Sequence, residues 1–307
     1  MRLQVINLDG SVAGQEPLRR RIDTGEASCI DAADLAARLR IVASRGAVAG
    51  LLERLAAGGG DGGGPPVYFC GSGDFHHLTA LFLRTVSAPV TVVHFDNHPD
   101  WVRFPATVNC GAWVNRALEL PQVRKVVTIG PCSDDLVRPE WQFANLRAVE
   151  AGRMALFPWR HAPSRVWRRY NSAASFRQEG GHLHWRNLAE EDWSGFLDEL
   201  MTAIPTEAVW LTIDKDVLGR DEAVTNWDQG QLKLAHLIAA IERLAAGRFV
   251  VGVDVCGDWS EPRFSDPFRA ALAFFDHPPR LRPTAEDLAI NARANAALVD
   301  CFSRVLP

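Results

Sequence analysis

The stretch that decides the fold runs Val90-Thr-Val-Val-His-Phe-Asp-Asn-His-Pro-Asp100. Its first part, Val90–Phe95, is a run of mostly β-branched and apolar residues, which is typical of a strand covered on both faces. Asp96, His98 and Asp100 follow where the run ends. Because side chains alternate along an extended chain, residues at this spacing can converge on one point. The stretch therefore predicts a buried parallel strand whose carboxyl end carries a polar site.

Similar short apolar runs recur along the chain and alternate with helical patterns, which is the signature of a parallel sheet flanked by helices. The fold class is therefore α/β. Besides Val90–Phe95, the predicted core strands are Leu3–Leu8, Val67–Cys70, Val123–Ile129, Ala208–Ile213 and Phe249–Val255. The predicted helices are Asp31–Ala57, Gln231–Ala246 and Ala285–Leu306. Residues from about 157 to 193 show no clear period, and we interpret them as an insertion in a single domain spanning 1–307.

Length and charge restrict the class of protein. The chain has 307 residues, of which 47% are hydrophobic and 23% charged, enough for one sizeable core. A net charge of -4 provides no basic surface for a phosphate backbone, so we expect a small-molecule substrate rather than nucleic acid. The sequence shows neither a signal-peptide pattern nor an apolar run of about 18 residues, so we expect a cytoplasmic protein that does not bind membranes.

The six cysteines lie far apart and include no Cys-x-x-Cys pair. This spacing argues against a structural zinc site and against a disulfide-stapled module. Cys70 and Cys256 lie in apolar, strand-like runs, and we predict that both are buried small hydrophobic residues.

Two further segments carry side chains that bind metals. Trp210-Leu-Thr-Ile-Asp214-Lys-Asp216 is a hydrophobic strand that ends in two carboxylates, and such like charges are costly unless a cation lies between them. In Gly71-Ser-Gly-Asp-Phe-His76-His77 a glycine-rich turn brings two histidines to the same edge. Spacing alone does not decide between them. His94 is expected to point away from Asp96 or to lie in the core, and it is left out of the predicted site.

Four carboxylates and two imidazoles form a hard site of oxygen and nitrogen ligands, which suits Mn²⁺ or a similar first-row ion. Six ligand positions are too many for one ion. Two ions that share a water lower its pKa towards neutrality, which makes hydroxide available at pH 7. The sequence therefore predicts hydrolytic chemistry.

Taken in this order, the segments resemble the ureohydrolase superfamily of arginase, agmatinase, guanidinobutyrase and formiminoglutamase, over most of the chain. Gly71–His77 is similar to the superfamily's Gly-Gly-Asp-His-Ser with one residue inserted. Asp96–Asp100 is similar to Asp-Ala-His-x-Asp, and Asp214–Asp216 to Ser-x-Asp-x-Asp. The resemblance implies a three-layer α/β/α sandwich with a mostly parallel sheet of about eight strands, and a homo-oligomer.

The resemblance also implies two Mn²⁺ ions per chain, and it favours His76 over His77. One ion would be bound by His76, Asp96, Asp100 and Asp214. The other would be bound by Asp96, His98, Asp214 and Asp216, so that Asp96 and Asp214 bridge the two. The implied reaction is hydrolysis of a linear C–N bond in a guanidino, amidino or formimino compound by a hydroxide that Asp100 orients.

Two positions depart from the superfamily pattern. Asn109-Cys110-Gly111 stands where the superfamily has His-Gly, so Cys110 is a candidate for the missing proton shuttle and Asn109 for a substrate contact. Gly257 stands where the superfamily has the glutamate that grips the guanidinium. Asp258, one residue further on, is the candidate replacement, with a catalytic and substrate-binding role, and Asp254 is predicted to support the site from behind.

Trp227 and Asp228 occupy the place of the superfamily's substrate loop. They could form an aromatic wall beside a carboxylate and receive a planar cation. A tryptophan that simply packs under a loop is an equal alternative. The asparagine that follows the last metal aspartate in arginase has no counterpart at Val102, so L-arginine is not the expected substrate.

Two other functions fit part of the pattern. A single-zinc, deacetylase-like amidohydrolase shares the expected architecture but would leave Asp100 and Asp216 without a role. A non-catalytic metal-binding homologue would explain retained ligands beside altered substrate positions, but a new substrate specificity also explains them and is the favoured interpretation. The leading prediction is the C–N hydrolase.

Overall fold

The computed structural model describes residues 1–58, 63–104, 108–276 and 282–306. Eight of its strands form one sheet in the order β2-β1-β3-β11-β10-β4-β5-β6, and every neighbouring pair is parallel. These strands are β1 (Arg2–Asn7), β2 (Ala27–Asp31), β3 (Pro66–Phe69), β4 (Val90–Phe95), β5 (Val123–Ile129), β6 (Met154–Phe157), β10 (Ala208–Asp214) and β11 (Phe249–Cys256). The predicted α/β class and the parallel sheet of about eight strands are confirmed.

The six predicted strands all occur, with ends that differ by at most one residue. The sequence did not reveal β2 and β6. In β2, exposed residues interrupt the apolar pattern at an edge of the sheet, and β6 has only four residues and is followed by a proline. Neither run is long or continuous enough to stand out as a core strand.

Helices cover both faces of the sheet, because side chains alternate along each strand and both faces are apolar. In β4, for example, Val93 belongs to one hydrophobic cluster and Val92 to the other. The helices are α1 (Glu16–Asp23), α2 (Ala33–Leu39), α3 (Arg45–Gly58), α4 (Thr79–Phe82), α5 (Trp113–Leu118), α6 (Leu146–Glu150), α7 (Trp193–Ala203), α8 (Leu234–Gly247), α9 (Pro267–Asp276) and α10 (Ala285–Val305). Leucines of α7, α8 and α10 line the first cluster and those of α2, α3 and α4 line the second, which gives three layers.

The predicted helix Asp31–Ala57 is two helices, α2 and α3. They are separated by Ile41, whose positive φ of 62° ends the helical path. Within the aperiodic segment 157–193, the chain forms a small antiparallel sheet of β7 (Ser164–Arg165), β9 (His182–Trp185) and β8 (Phe176–Glu179). In the described ranges, no helix has the combined length and apolar character that crossing a bilayer requires.

Candidate metal centre

The candidate metal centre lies at the carboxyl edge of the large sheet, where β3, β11, β10 and β4 are neighbours. All strands of a parallel sheet end at the same edge, so the residues that follow them meet there. His76 comes from a 3-10 turn after β3, Asp96 directly follows β4, and Asp214 ends β10. The structure thus brings together the six side chains that the sequence singled out as metal ligands.

Three of the predicted carboxylates, from Asp96, Asp100 and Asp214, meet around His76. Together with His94, which contacts Asp96, these four residues are called the deep cluster. The Nδ1 atom of His76 lies 2.9 Å from Asp96 Oδ2, 3.3 Å from Asp100 Oδ2 and 3.7 Å from Asp214 Oδ2. The His76 side chain is only 1% exposed. Among the described residues, His76 belongs to two groups of side chains that could hold a metal ion and His77 to none, and the choice of His76 as a ligand stays a prediction.

Asp96, His98 and Asp216 form a second group, the outer cluster. His98 Nδ1 lies 2.9 Å from Asp216 Oδ2 and 3.5 Å from Asp96 Oδ1. The His98 side chain is 14% exposed, more than any side chain of the deep cluster. Asp96 therefore belongs to both clusters, with one carboxylate oxygen facing each of them.

The expectation that His94 would point away from Asp96 is wrong. The two residues are two apart along the chain at the end of β4, and this spacing puts their side chains on the same side. His94 is fully buried, and its Nε2 atom lies 2.8 Å from Asp96 Oδ2. Strand alternation does not explain the position of Asp100, because β4 ends at Phe95. Asp100 instead adopts a left-handed backbone conformation, with φ of 48°, and this brings its side chain to the cluster.

A layer of hydrogen bonds behind the deep cluster fixes His76. Its Nε2 atom lies 2.8 Å from Thr212 Oγ1, and the Thr212 hydroxyl donates to Asp254 Oδ2 at 2.7 Å. Trp210 Nε1 donates to the other oxygen of Asp254 at 2.5 Å. Partners of this kind set the tautomer and the orientation of a metal-binding imidazole. The prediction that Asp254 supports the site from behind agrees with this geometry.

The two clusters contain more carboxylates than positively charged groups, and this shifts the pKa values of their members. Burial raises the pKa of Asp216, and the neighbouring charges of Asp214 and Asp96 raise it further, to well above its ordinary value. Burial and Asp96 likewise raise the pKa of Asp100 to about 7. Burial would lower the pKa of His76, but its bonds to Asp100 and Asp96 outweigh burial and raise it well above the ordinary value. The site therefore favours positive charge among its carboxylates.

The donor set fits divalent ions. Ligand atoms that lie about 2.1 Å from one ion are about 3.0 to 3.4 Å apart in octahedral or tetrahedral geometry. The contacts of His76 Nδ1 with its three carboxylate oxygens span 2.9 to 3.7 Å, close to that range. In the outer cluster, the two contacts of His98 Nδ1 fall at 2.9 and 3.5 Å. Each cluster could hold one ion.

The lack of a side chain at Gly73 leaves room for the Asp214 carboxylate. A Cβ atom there would lie 2.4 Å from Asp214 Oδ2, the oxygen that faces His76. We expect Gly73→Ala to displace the Asp214 carboxylate and to weaken metal binding by at least about tenfold, as measured by isothermal titration calorimetry. Gly46→Ala is the control, since a Cβ there meets nothing within 4 Å. Equal metal affinity in the two variants would contradict this assignment of Asp214.

Trp227 and Asp228 lie beside the outer cluster. The Trp227 ring is edge-on to His98, with ring centroids 5.4 Å apart, and Trp227 Nε1 donates to Asp74 Oδ1 at 3.0 Å. Asp228 Oδ1 lies 2.9 Å from His98 Nε2, and its other oxygen accepts from Asn97 Nδ2 at 2.9 Å. Asp228 therefore fixes the ring of His98 from the side opposite Asp216, as carboxylates behind metal-binding histidines do.

Three other predicted residues are not brought into either cluster. Asp258 is 1% exposed, and its carboxylate contacts Lys215, Gln15 and Asn295. Cys110 is buried in a small cluster with Ile41. Asn109 forms an isolated β-bridge with Val42.

Sequence reasoning missed two side chains of the site besides His94. Thr212 stands two residues before Asp214 on β10, so period two could have placed it on the same face. Cys256 ends β11 beside Asp214, and its Sγ lies 3.3 Å from Asp214 Oδ2. It was predicted to be a buried small residue, which is correct, but its apolar neighbours gave no sign of its contact with Asp214.

The strand order, the helices on both faces and the buried clusters at the carboxyl edge define an α/β protein of arginase-like fold with groups able to hold metal. The same fold occurs in arginase from Bacillus subtilis, with a TM-score of 0.56 and 13% identity over 98% of both chains. Agmatine ureohydrolase of Thermoplasma volcanium has a TM-score of 0.54 and 14% identity over 99% of this chain and 92% of its own. Formimidoylglutamase from Bacillus subtilis has a TM-score of 0.52 and 14% identity over 97% and 87%.

These neighbours confirm the resemblance to the ureohydrolase superfamily at the level of the fold. In sequence, the chain is 26% identical to an uncharacterized protein of Thermotoga maritima, over 62% of this chain and 58% of that protein. The aligned segment thus spans less than two thirds of that relative's length. No family model matches the chain.

Proposed function

We propose that this protein is a hydrolase that cleaves a linear C–N bond of a guanidino, amidino or formimino compound with two divalent metal ions bound. One observation carries the proposal. Asp96 directs Oδ2 towards His76 at 2.9 Å and Oδ1 towards His98 at 3.5 Å, so a single carboxylate has an oxygen in each cluster. A carboxylate that bridges two ions needs this placement. The arginase-like fold supports the same conclusion.

Two Mn²⁺ ions per chain are the proposed cofactors, because aspartate and histidine ligands suit this ion. When bound, two such ions lower the pKa of a shared water and supply hydroxide at neutral pH. The single-zinc alternative is less well supported, since Asp100 and Asp216 both lie within the clusters rather than outside them.

Asp100 is the proposed group that orients the attacking water and holds its proton. Its Oδ2 atom accepts from Trp113 Nε1 at 2.5 Å and lies 3.3 Å from His76 Nδ1, so the carboxylate has a fixed orientation. Burial and the charge of Asp96 raise the pKa of Asp100 to about 7. A carboxylate held in a fixed orientation beside the attacking water can accept a hydrogen bond from it and take up its proton.

The substrate is proposed to approach over the outer cluster, where His98 is partly exposed and the Trp227 ring forms a wall. Gly257 stands where the superfamily has the glutamate that binds the guanidinium, and this chain leaves no room for a side chain there. A Cβ on Gly257 would lie 2.4 Å from Asp214 Oδ1, and the φ of 92° favours glycine. Recognition would then fall to Trp227 and to the half-exposed Asp228, with Asn109, Cys110 and Asp258 outside the two clusters.

A substrate screen tests this function. The protein is loaded with Mn²⁺ and offered arginine, agmatine and N-formiminoglutamate, and the release of urea, formamide or ammonia is measured. We expect turnover of at least one compound, its loss on chelation, and a decrease in kcat of at least about 100-fold in Asp100→Asn. Asp221→Asn, at an exposed position, is the matched control.

Three results would change the proposal. Full activity in Asp100→Asn would overturn the mechanism. Two bound ions without hydrolysis of any compound would support the non-catalytic homologue. One ion per chain would favour the alternative of a single-zinc, deacetylase-like amidohydrolase. The homo-oligomer and the cytoplasmic location remain predictions, and light scattering of the purified protein checks the first.

A further inference from the structure

The thiol of Cys256 lies within reach of the deep metal position. Cys256 is 1% exposed, and its Sγ donates to Asp214 Oδ2 at 3.3 Å. Ligand atoms of Cys256, Asp214 and His76 all lie within 4.8 Å of one another. An ion bound to Asp214 and His76 would therefore have a sulfur atom beside it as well as oxygen and nitrogen.

The register of the sheet explains this placement. β10 and β11 are parallel neighbours in which Asp214 pairs with Cys256 and Thr212 with Asp254. Asp254 and Cys256 are two residues apart, so their side chains leave the same face of β11. Asp254 supports His76 through Thr212, and Cys256 stands one step nearer the edge, beside the metal aspartate itself. The position belongs to the strand framework rather than to a mobile loop.

The two clusters differ in the softness of their donors. The outer cluster of Asp96, His98 and Asp216 offers only oxygen and nitrogen. Beside the deep cluster lies the Cys256 thiol, which is grouped with His76 and Asp214. Thiolate ligands favour zinc, cobalt and iron over manganese, and Zn–S bonds are about 2.3 Å long, which is compatible with a sulfur 3.3 Å from a second ligand atom.

We propose that Cys256 is a ligand of the deep ion and that this position selects a thiophilic divalent ion, whereas the outer position does not. This inference rests on the metal centre of the proposed function and revises the identity of one of its two ions. On binding, a metal–sulfur bond forms and the S–H proton leaves to solvent, so loading with zinc releases one more proton than loading without the thiol.

Cobalt reports the ligand directly, because Co²⁺ bound to thiolate shows a charge-transfer band in the near ultraviolet that oxygen and nitrogen ligands do not give. The full chain is stripped of metal and titrated with CoCl₂. We expect the band to appear with the first equivalent and to be absent in Cys256→Ser. Cys70→Ser is the matched control, because Cys70 is equally buried, follows the neighbouring strand β3 and belongs to no metal-holding group of the described residues. The control should keep the band.

Competition titrations with ZnCl₂ and MnCl₂ provide the second measurement. Cys256→Ser is expected to lose at least about tenfold in zinc affinity while its manganese affinity changes less than threefold. A native protein that binds two cobalt ions without the band overturns the inference and leaves the proposed function intact, and this result needs no variant. A protein that binds no metal overturns both.

Discussion

Asp96→Asn is expected to lose both ions of the proposed two-metal centre. Asp96 Oδ2 contacts His76 and His94, whereas Oδ1 faces His98 and accepts from its backbone N–H at 2.6 Å. The substitution removes one negative charge from both clusters at once. We expect metal content to fall from two ions per chain to below about one tenth of that value, and turnover to fall about 10³-fold or more, since the ions contribute several kcal/mol to such reactions.

Elemental analysis after loading and desalting provides the measurement, and two variants make it specific. Asp216→Asn changes the outer cluster alone, so it should retain one ion. Asp134→Asn, at an exposed position, should retain two. If Asp96→Asn kept two ions, Asp96 would not bridge the clusters and the two-ion centre would be wrong. If it kept one ion, as expected of Asp216→Asn, Asp96 would serve a single cluster.

The sequence was informative wherever a strand is buried on both faces. In Val90–Phe95 the observed strand has the predicted ends, because every side chain of this run is buried and must be compatible with an apolar surrounding. Parallel strands end at a common edge, and this rule was enough to bring the His76-His77 segment, Asp96 and Asp214 together from three distant parts of the chain, whereas the preference for His76 came from the family resemblance. The edge strand β2 has exposed side chains and is not buried on both faces, so its sequence did not reveal it.

Side chains whose roles depend on a partner from elsewhere in the chain were less predictable. Asp258 was the candidate replacement for an absent glutamate, but the sequence could not show that its carboxylate pairs with Lys215. That lysine lies 43 residues earlier, between Asp214 and Asp216. For Cys256 the error was the opposite one. Its apolar strand predicted only a buried residue, and its contact with the Asp214 carboxylate was not predicted. The contact of Cys256 with Asp214 follows from the register of β10 against β11, and Lys215 and Asp258 lie just beyond the ends of the same two strands, so patterns within a single strand specify neither pairing.

Asp258→Ala is expected to destabilise the fold by about 3 to 5 kcal/mol, because it leaves the charge of Lys215 buried without its counterion. Lys215 is 0% exposed, and its Nζ lies 2.8 Å from Asp258 Oδ2 and 2.9 Å from Asn295 Oδ1. The amide oxygen of Asn295 cannot replace a carboxylate as a counterion for a buried ammonium group. Urea unfolding followed by circular dichroism measures the loss.

Two comparisons identify the cause of that loss. Asp221→Ala breaks an exposed Lys–Asp pair, since Asp221 and Lys233 are 66% and 49% exposed, and it should leave the unfolding midpoint unchanged. Lys215→Met combined with Asp258→Leu removes both buried charges and should recover most of the stability that Asp258→Ala loses. Should Asp258→Ala unfold at the same urea concentration as Asp221→Ala, the Lys215 ammonium would be compensated by other groups. Should it unfold early while the folded protein keeps full turnover, Asp258 would be a stabilising residue rather than part of the reaction.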